Sequence, residues 1–78
     1  MILKMYAIKD ELNGYTAPIP MPNEEMAKRY LKDQAMSNPT VSNTPGDFSI
    51  WYLGEFDTEL GKMIPNEVKL IERAGSYV

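Results

Sequence analysis

The sequence predicts an α+β fold: a small antiparallel sheet of about four strands, made from two hairpins, with one helix packed on one face. Three observations predict it. The N-terminal MILKMYAIKD and the stretch Asp47–Pro65, DFSIWYLGEFDTELGKMIP, both alternate apolar residues as strands do. Each runs into an Asp-to-Gly segment suited to a tight reversal. Between them, one segment alone carries apolar residues at helical spacing.

In the first hairpin, residues 1–17, Ile2, Tyr6 and Ile8 share one strand parity and Leu3, Met5 and Ala7 the other. Apolar side chains of both parities indicate an interior strand. Asp10-Glu11-Leu12-Asn13-Gly14 forms the turn, and Tyr15 to Ala17 returns. The three prolines of PIPMP rule out an ordinary ladder strand there. A polyproline-like connector or a frayed edge is expected, ahead of a ligand for a proline-reading module.

The helix covers residues 23–36. Asn23 caps it, Glu24 and Glu25 complement its dipole, and Met26, Ala27, Tyr30, Leu31 and Ala35 form its apolar stripe. Ser37-Asn38-Pro39 stops it. The following SNPTVSNTPGD reads as a plain connector in preference to a flap.

The second hairpin, residues 47–65, places Phe48, Ile50, Tyr52 and Phe56 on a core face, with Ser49, Trp51, Leu53 and Glu55 on the other. Asp57-Thr58-Glu59-Leu60-Gly61 is its turn, and Pro65 suits a strand end or an edge. The two Asp-to-Gly turns, each followed by a proline four residues later, repeat one pattern on either side of the helix. The tail, residues 66–78, contains EVKLIER, which fits a short helix and an extended segment equally poorly.

Seventy-eight residues make a single domain near the lower limit for unaided folding. Self-association would bury further surface, so a homodimer is expected on those grounds. With no Cys and no His, the chain offers no nucleophilic triad and no Cys- or His-based metal site. The glycines are scattered singly and cradle no phosphate. DTELG lacks the alternating acidic ligands of a calcium loop. The expectation is a protein that is not an enzyme, with no cofactor and no metal. No apolar run is long enough to span a bilayer, so no membrane partner is expected.

Eight basic and eleven acidic residues give a net charge of −3, which argues against strong nonspecific nucleic-acid binding but leaves room for a local basic face. Two features could serve such a face. Lys28, Arg29 and Lys32 cluster on the outer helix surface, where they meet phosphates or pair with acids in the order Glu24–Lys28 and Glu25–Arg29. The rings of Tyr6, Phe48, Trp51, Tyr52 and Phe56 either stack bases or fill the core. Core is favoured for Phe48, Tyr52 and Phe56. Trp51, the single Trp, remains open between base stacking, a dimer contact and cover beneath the tail.

The pattern Pro45, Asp47-Phe48, Gly54-Glu55-Phe56-Asp57, Gly61 and Pro65 resembles the small nonstructural protein of the gokushovirus branch of microviruses, phages with single-stranded DNA genomes. The strand containing Tyr6, its turn, and the proline segment leading into one helix agree in order, so the resemblance covers most of residues 1–65. Gly46 departs from it by separating the proline from the acid. The resemblance implies a phage accessory protein of the host bacterial cytoplasm that binds single-stranded DNA during genome replication or packaging, with other phage proteins as further partners. It supplies no catalytic or contact residues. The contact candidates therefore come from the residues themselves: Lys28, Arg29, Lys32, Lys4, Lys9 and Lys62 for phosphates, and Trp51 for bases. The alternative is a protein–protein adaptor or scaffold-like dimer without DNA affinity, anchored by Trp51 and Leu53.

Overall fold

The computed structural model describes residues 1–77 and has the predicted α+β architecture. In chain order come strand β1 (Ile2–Asp10), β2 (Gly14–Tyr15), β3 (Ile19–Met21), helix α1 (Glu24–Ser37), helix α2 (Pro39–Asn43), β4 (Phe48–Asp57) and β5 (Lys62–Arg73). Short 3₁₀ turns occupy Pro45–Asp47 and Ala74–Tyr77. Every strand pairing is antiparallel, in the order β2-β1-β4-β5, with β3 beside β2 on the same edge of β1.

Both predicted Asp-to-Gly turns form, and by the same device. The Asp10 carboxylate accepts from the Leu12 N–H at 2.9 Å, and the Asp57 carboxylate accepts from the Glu59 N–H at 2.9 Å. Gly14 at φ 90° and Gly61 at φ 63° supply the left-handed positions that close the loops. The proline segment is a frayed edge. Ile19, Pro20 and Met21 pair with Tyr6, Met5 and Lys4 for three residues only.

Helix α1 starts at the predicted cap, where the Asn23 side chain accepts from the Met26 N–H at 2.9 Å. Ala27, Leu31 and Ala35 are its buried residues and meet Tyr6, Ile8, Phe48 and Ile50 of the sheet. Tyr30 packs partly against this cluster, whereas Met26 is exposed and falls outside the stripe. The expected plain connector is instead partly helical. Asn38 caps α2 by accepting from the Thr40 N–H, Pro39 takes its first turn, and Val41 is driven into the core. The connector therefore contributes packing that composition did not disclose.

The second hairpin departs from the sequence pattern at two points. Strand β5 does not stop at Pro65; it runs to Arg73, so EVKLIER is extended. Pro65 is tolerated because β5 is the sheet edge, where a missing N–H need not cost a ladder bond. Within β4, Tyr52 pairs with Tyr6 but Gly54 pairs with Met5, which leaves Leu53 as an extra residue. That bulge inverts the alternation beyond it. Directly opposed residues share a face, so Phe56 points with Leu3 to the side away from α1, not with Phe48, Ile50 and Tyr52.

The bulge depends on Gly54. Its φ is 144°, and a Cβ there would lie 2.5 Å from the Ile64 carbonyl oxygen of β5. Gly54→Ala is expected to lower stability by about 1–3 kcal/mol from backbone strain alone, with the contact adding to that. Gly46→Ala, where a Cβ meets nothing within 4 Å, serves as the control. Urea unfolding of both variants checks this; equal midpoints would contradict the role given to Gly54.

Burial of the Tyr6 phenol, then the charge of Glu24 and the neighbouring Tyr52, raise its pKa above the ordinary 10.0. Burial followed by Glu72 and Glu25 raises Tyr77 likewise. The folded state thus holds these protons more tightly than the unfolded chain. The associated stability is complete below about pH 10 and falls as pH climbs through the raised values. Urea midpoints between about pH 9 and 11 should decline for the wild type and less steeply for Tyr6→Phe. Parallel slopes would show that Tyr6 does not contribute.

Candidate functional site

The ladder sorts the strand side chains onto two sides. Toward α1 lie the rungs Tyr6–Tyr52–Lys69, Ile8–Ile50–Glu72, Asp10–Phe48, Lys4–Glu55–Ile64 and Ile2–Asp57–Lys62. Away from it lie Leu3–Phe56–Met63, Met5–Gly54–Pro65, Ala7–Trp51–Leu70 and Lys9–Ser49–Arg73. No helix covers this second side, referred to below as the open face. Every carboxylate at a register position (Asp10, Glu55, Asp57 and Glu72) falls on the helix side. The open face keeps two cations, Lys9 and Arg73, and no register acid. An acidic domain therefore presents a sheet surface of the opposite local sign.

Trp51 is fixed at the centre of that surface. Its indole Nε1 donates to the Ser49 hydroxyl at 2.8 Å, and Ser49 is buried. Tyr15 shares the side of its register partner Lys9 and meets Trp51 edge-on, with ring centroids 6.3 Å apart. The Lys9 Nζ lies 5.6 Å from the Trp51 centroid and 5.7 Å from that of Tyr15, within cation–π range of both. The nearest acid to it is Glu11 in the turn, at 4.0 Å. Trp51 is half-buried over Ala7, so one part of the ring covers the strand and another meets solvent.

The sequence-predicted candidates divide between regions. Trp51 and Lys9 come together on the open face. Lys4 and Lys62 are exposed on the helix side, opposite Glu55 and Asp57. Lys28, Arg29 and Lys32 lie on α1. The two ion pairs expected along α1 are not those that form. Lys28 reaches Glu25 at 4.0 Å, one residue closer in sequence, and Glu24 turns to Lys69 of β5 at 3.1 Å. Arg29 and Lys32 are exposed with no ion pair among the described residues. Leu53, the other proposed anchor, is the half-buried bulge residue. Sequence reasoning missed Tyr15, Ser49 and Arg73, because their placement follows from the ladder and not from local pattern.

A cleft at the start of α1 is lined by Lys4, Tyr6, Asn23, Glu24, Tyr52 and Lys69, and the Glu24–Lys69 pair bridges it. Its mixed charges favour neither an anion nor a cation. Among the described residues no group of three or more carboxylates could hold a metal ion, and no helix is long and apolar enough to cross a membrane.

A family model described as Phage ORF5 protein matches residues 3–77. No curated protein and no solved structure matches the chain. The family match takes in both hairpins, both helices and the described tail, which the resemblance over residues 1–65 left aside. With all but its first two residues and its last inside that match, the chain belongs to the Phage ORF5 protein family.

Proposed function

We propose that this phage protein is a nonenzymatic accessory factor of the gokushovirus type, which binds single-stranded DNA in the host cytoplasm during genome replication or packaging. The observation that carries the reading is the segregation of charge across the sheet: all register acids face α1, while Lys9 and Arg73 flank Trp51 on the open side. A single strand offers phosphates and unpaired bases together. The two cations meet the phosphates, and Trp51 and Tyr15 stack against bases. The indole is already held by Ser49, so little side-chain freedom is lost on binding. Lys28, Arg29 and Lys32, on α1, are spectators in this arrangement, as are Lys4 and Lys62.

A second reading, a homodimeric adaptor without DNA affinity, is favoured by one different observation. Leu3, Phe56 and Met63 form an apolar rung on the open face, and Met63 is 45% exposed. In that reading Trp51 and Leu53 anchor a partner protein.

Titration with a labelled oligothymidylate at 50 mM and 200 mM salt, following Trp51 fluorescence, tests the first reading. Two phosphate contacts on a single strand predict a loss of about sevenfold in affinity over that range. The pair Lys9→Glu, Arg73→Glu should abolish binding, while Lys28→Glu, Arg29→Glu should leave it unchanged. Absence of binding at 50 mM overturns the reading, and a dimer in sedimentation under those conditions favours the adaptor.

A further inference from the structure

The bulge at Leu53 does more than interrupt the ladder: it places the ring of Phe56 on the side that bears Trp51. We infer that Phe56 is a second base-stacking platform, so that the open face binds a track of about four nucleotides of single strand and not one isolated base. This rests on the nucleic-acid reading above and adds a contact residue to it.

The rung Leu3–Phe56–Met63 lies four residues along β1 from the rung Ala7–Trp51–Leu70. At about 3.4 Å per residue the two platforms are roughly 14 Å apart. A strand that engages both rings is extended with its bases splayed, so the duplex rise does not set its length; about four nucleotides is the low end of the site sizes known for single-strand binders.

The rung between the platforms consists of Met5, Gly54 and Pro65; Met5, 8% exposed, and Gly54 are covered by their neighbours, and Pro65 is the exposed member. No charged residue stands in this rung. Phe56 itself is half-buried, fixed between half-buried Leu3 and exposed Met63, so its ring is supported yet reachable. The register cations Lys9 and Arg73 sit at the Trp51 end alone. The track therefore grips phosphates at one end and unpaired bases along its length. A duplex, whose bases are stacked and paired within the helix, could not engage both rings.

Oligothymidylates of two, four and eight nucleotides, measured by anisotropy of a dye on the DNA, test this. Wild-type affinity should rise steeply between two and four nucleotides. Phe56→Leu, which keeps apolar volume and removes the ring, should weaken eight-nucleotide binding by roughly fivefold or more and flatten the length dependence. Trp51→Leu should weaken all lengths. Circular dichroism of both variants verifies folding, and Phe56→Tyr, which keeps a ring, should restore wild-type behaviour. Wild-type-like binding by Phe56→Leu with weakened Trp51→Leu overturns the second platform and leaves the binding face standing. Failure of the wild type to bind any length overturns both. A DNA-free dimer that Phe56→Leu dissociates would place the ring in a self-interface and also overturn the track.

Discussion

The approach of Gly54 to the Ile64 carbonyl is the constraint on which the arrangement of this sheet depends. A side chain at Gly54 would collide with the neighbouring strand, and its φ of 144° is one that L residues rarely adopt. That backbone shape lets β4 take in the extra residue Leu53 while keeping its pairing with β1 on both sides. On the edge side the same point is opposite Pro65, and the register shifts so that residues 66–68 are passed over before Lys69 pairs with Tyr52. Without this irregularity, Phe56 would lie with Phe48, Ile50 and Tyr52 under the helix. The acids beyond the bulge would change sides with it. Glu55 would join Trp51 on the open face, where its charge would oppose that of Lys9 and Arg73.

Much of the fold was legible because its signals are local. An aspartate at a strand end with a glycine four residues later favours a turn through local contacts, and Asp10 and Asp57 accept the same hydrogen bond in both hairpins. Asn23 and the two glutamates after it announce a helix start without reference to anything distant. The failures are equally physical. The alternation of β4 reads cleanly through Phe56, yet the bulge is defined only by what lies opposite it, on β1 and β5. Pro65 looked like a stop because edge position cannot be known from one strand. Residues 39–43 looked like a loop because Ser, Thr and Asn mask one buried Val41.

The candidate site was legible in kind and only partly in membership. Trp51 and Lys9 were visible as a lone indole and a strand lysine, but nothing local sets them beside each other or beside Tyr15. Conversely, Lys28, Arg29 and Lys32 are the densest cationic group in the sequence and stand on the helix, away from the ring cluster. Net charge was the least informative quantity. The sum of −3 conceals a sheet whose register acids all face one way.

The proposed function requires nucleic acid to meet the open face and not the helix. Backbone amide mapping of the isotope-labelled protein with an eight-nucleotide oligothymidylate at low salt tests it residue by residue. Binding on the open face should concentrate shifts at Lys9, Tyr15, Ser49, Trp51, Phe56 and Arg73, with the Trp51 indole resonance moving most. Shifts centred on Lys28, Arg29 and Lys32, with the Trp51 indole unmoved, would contradict it.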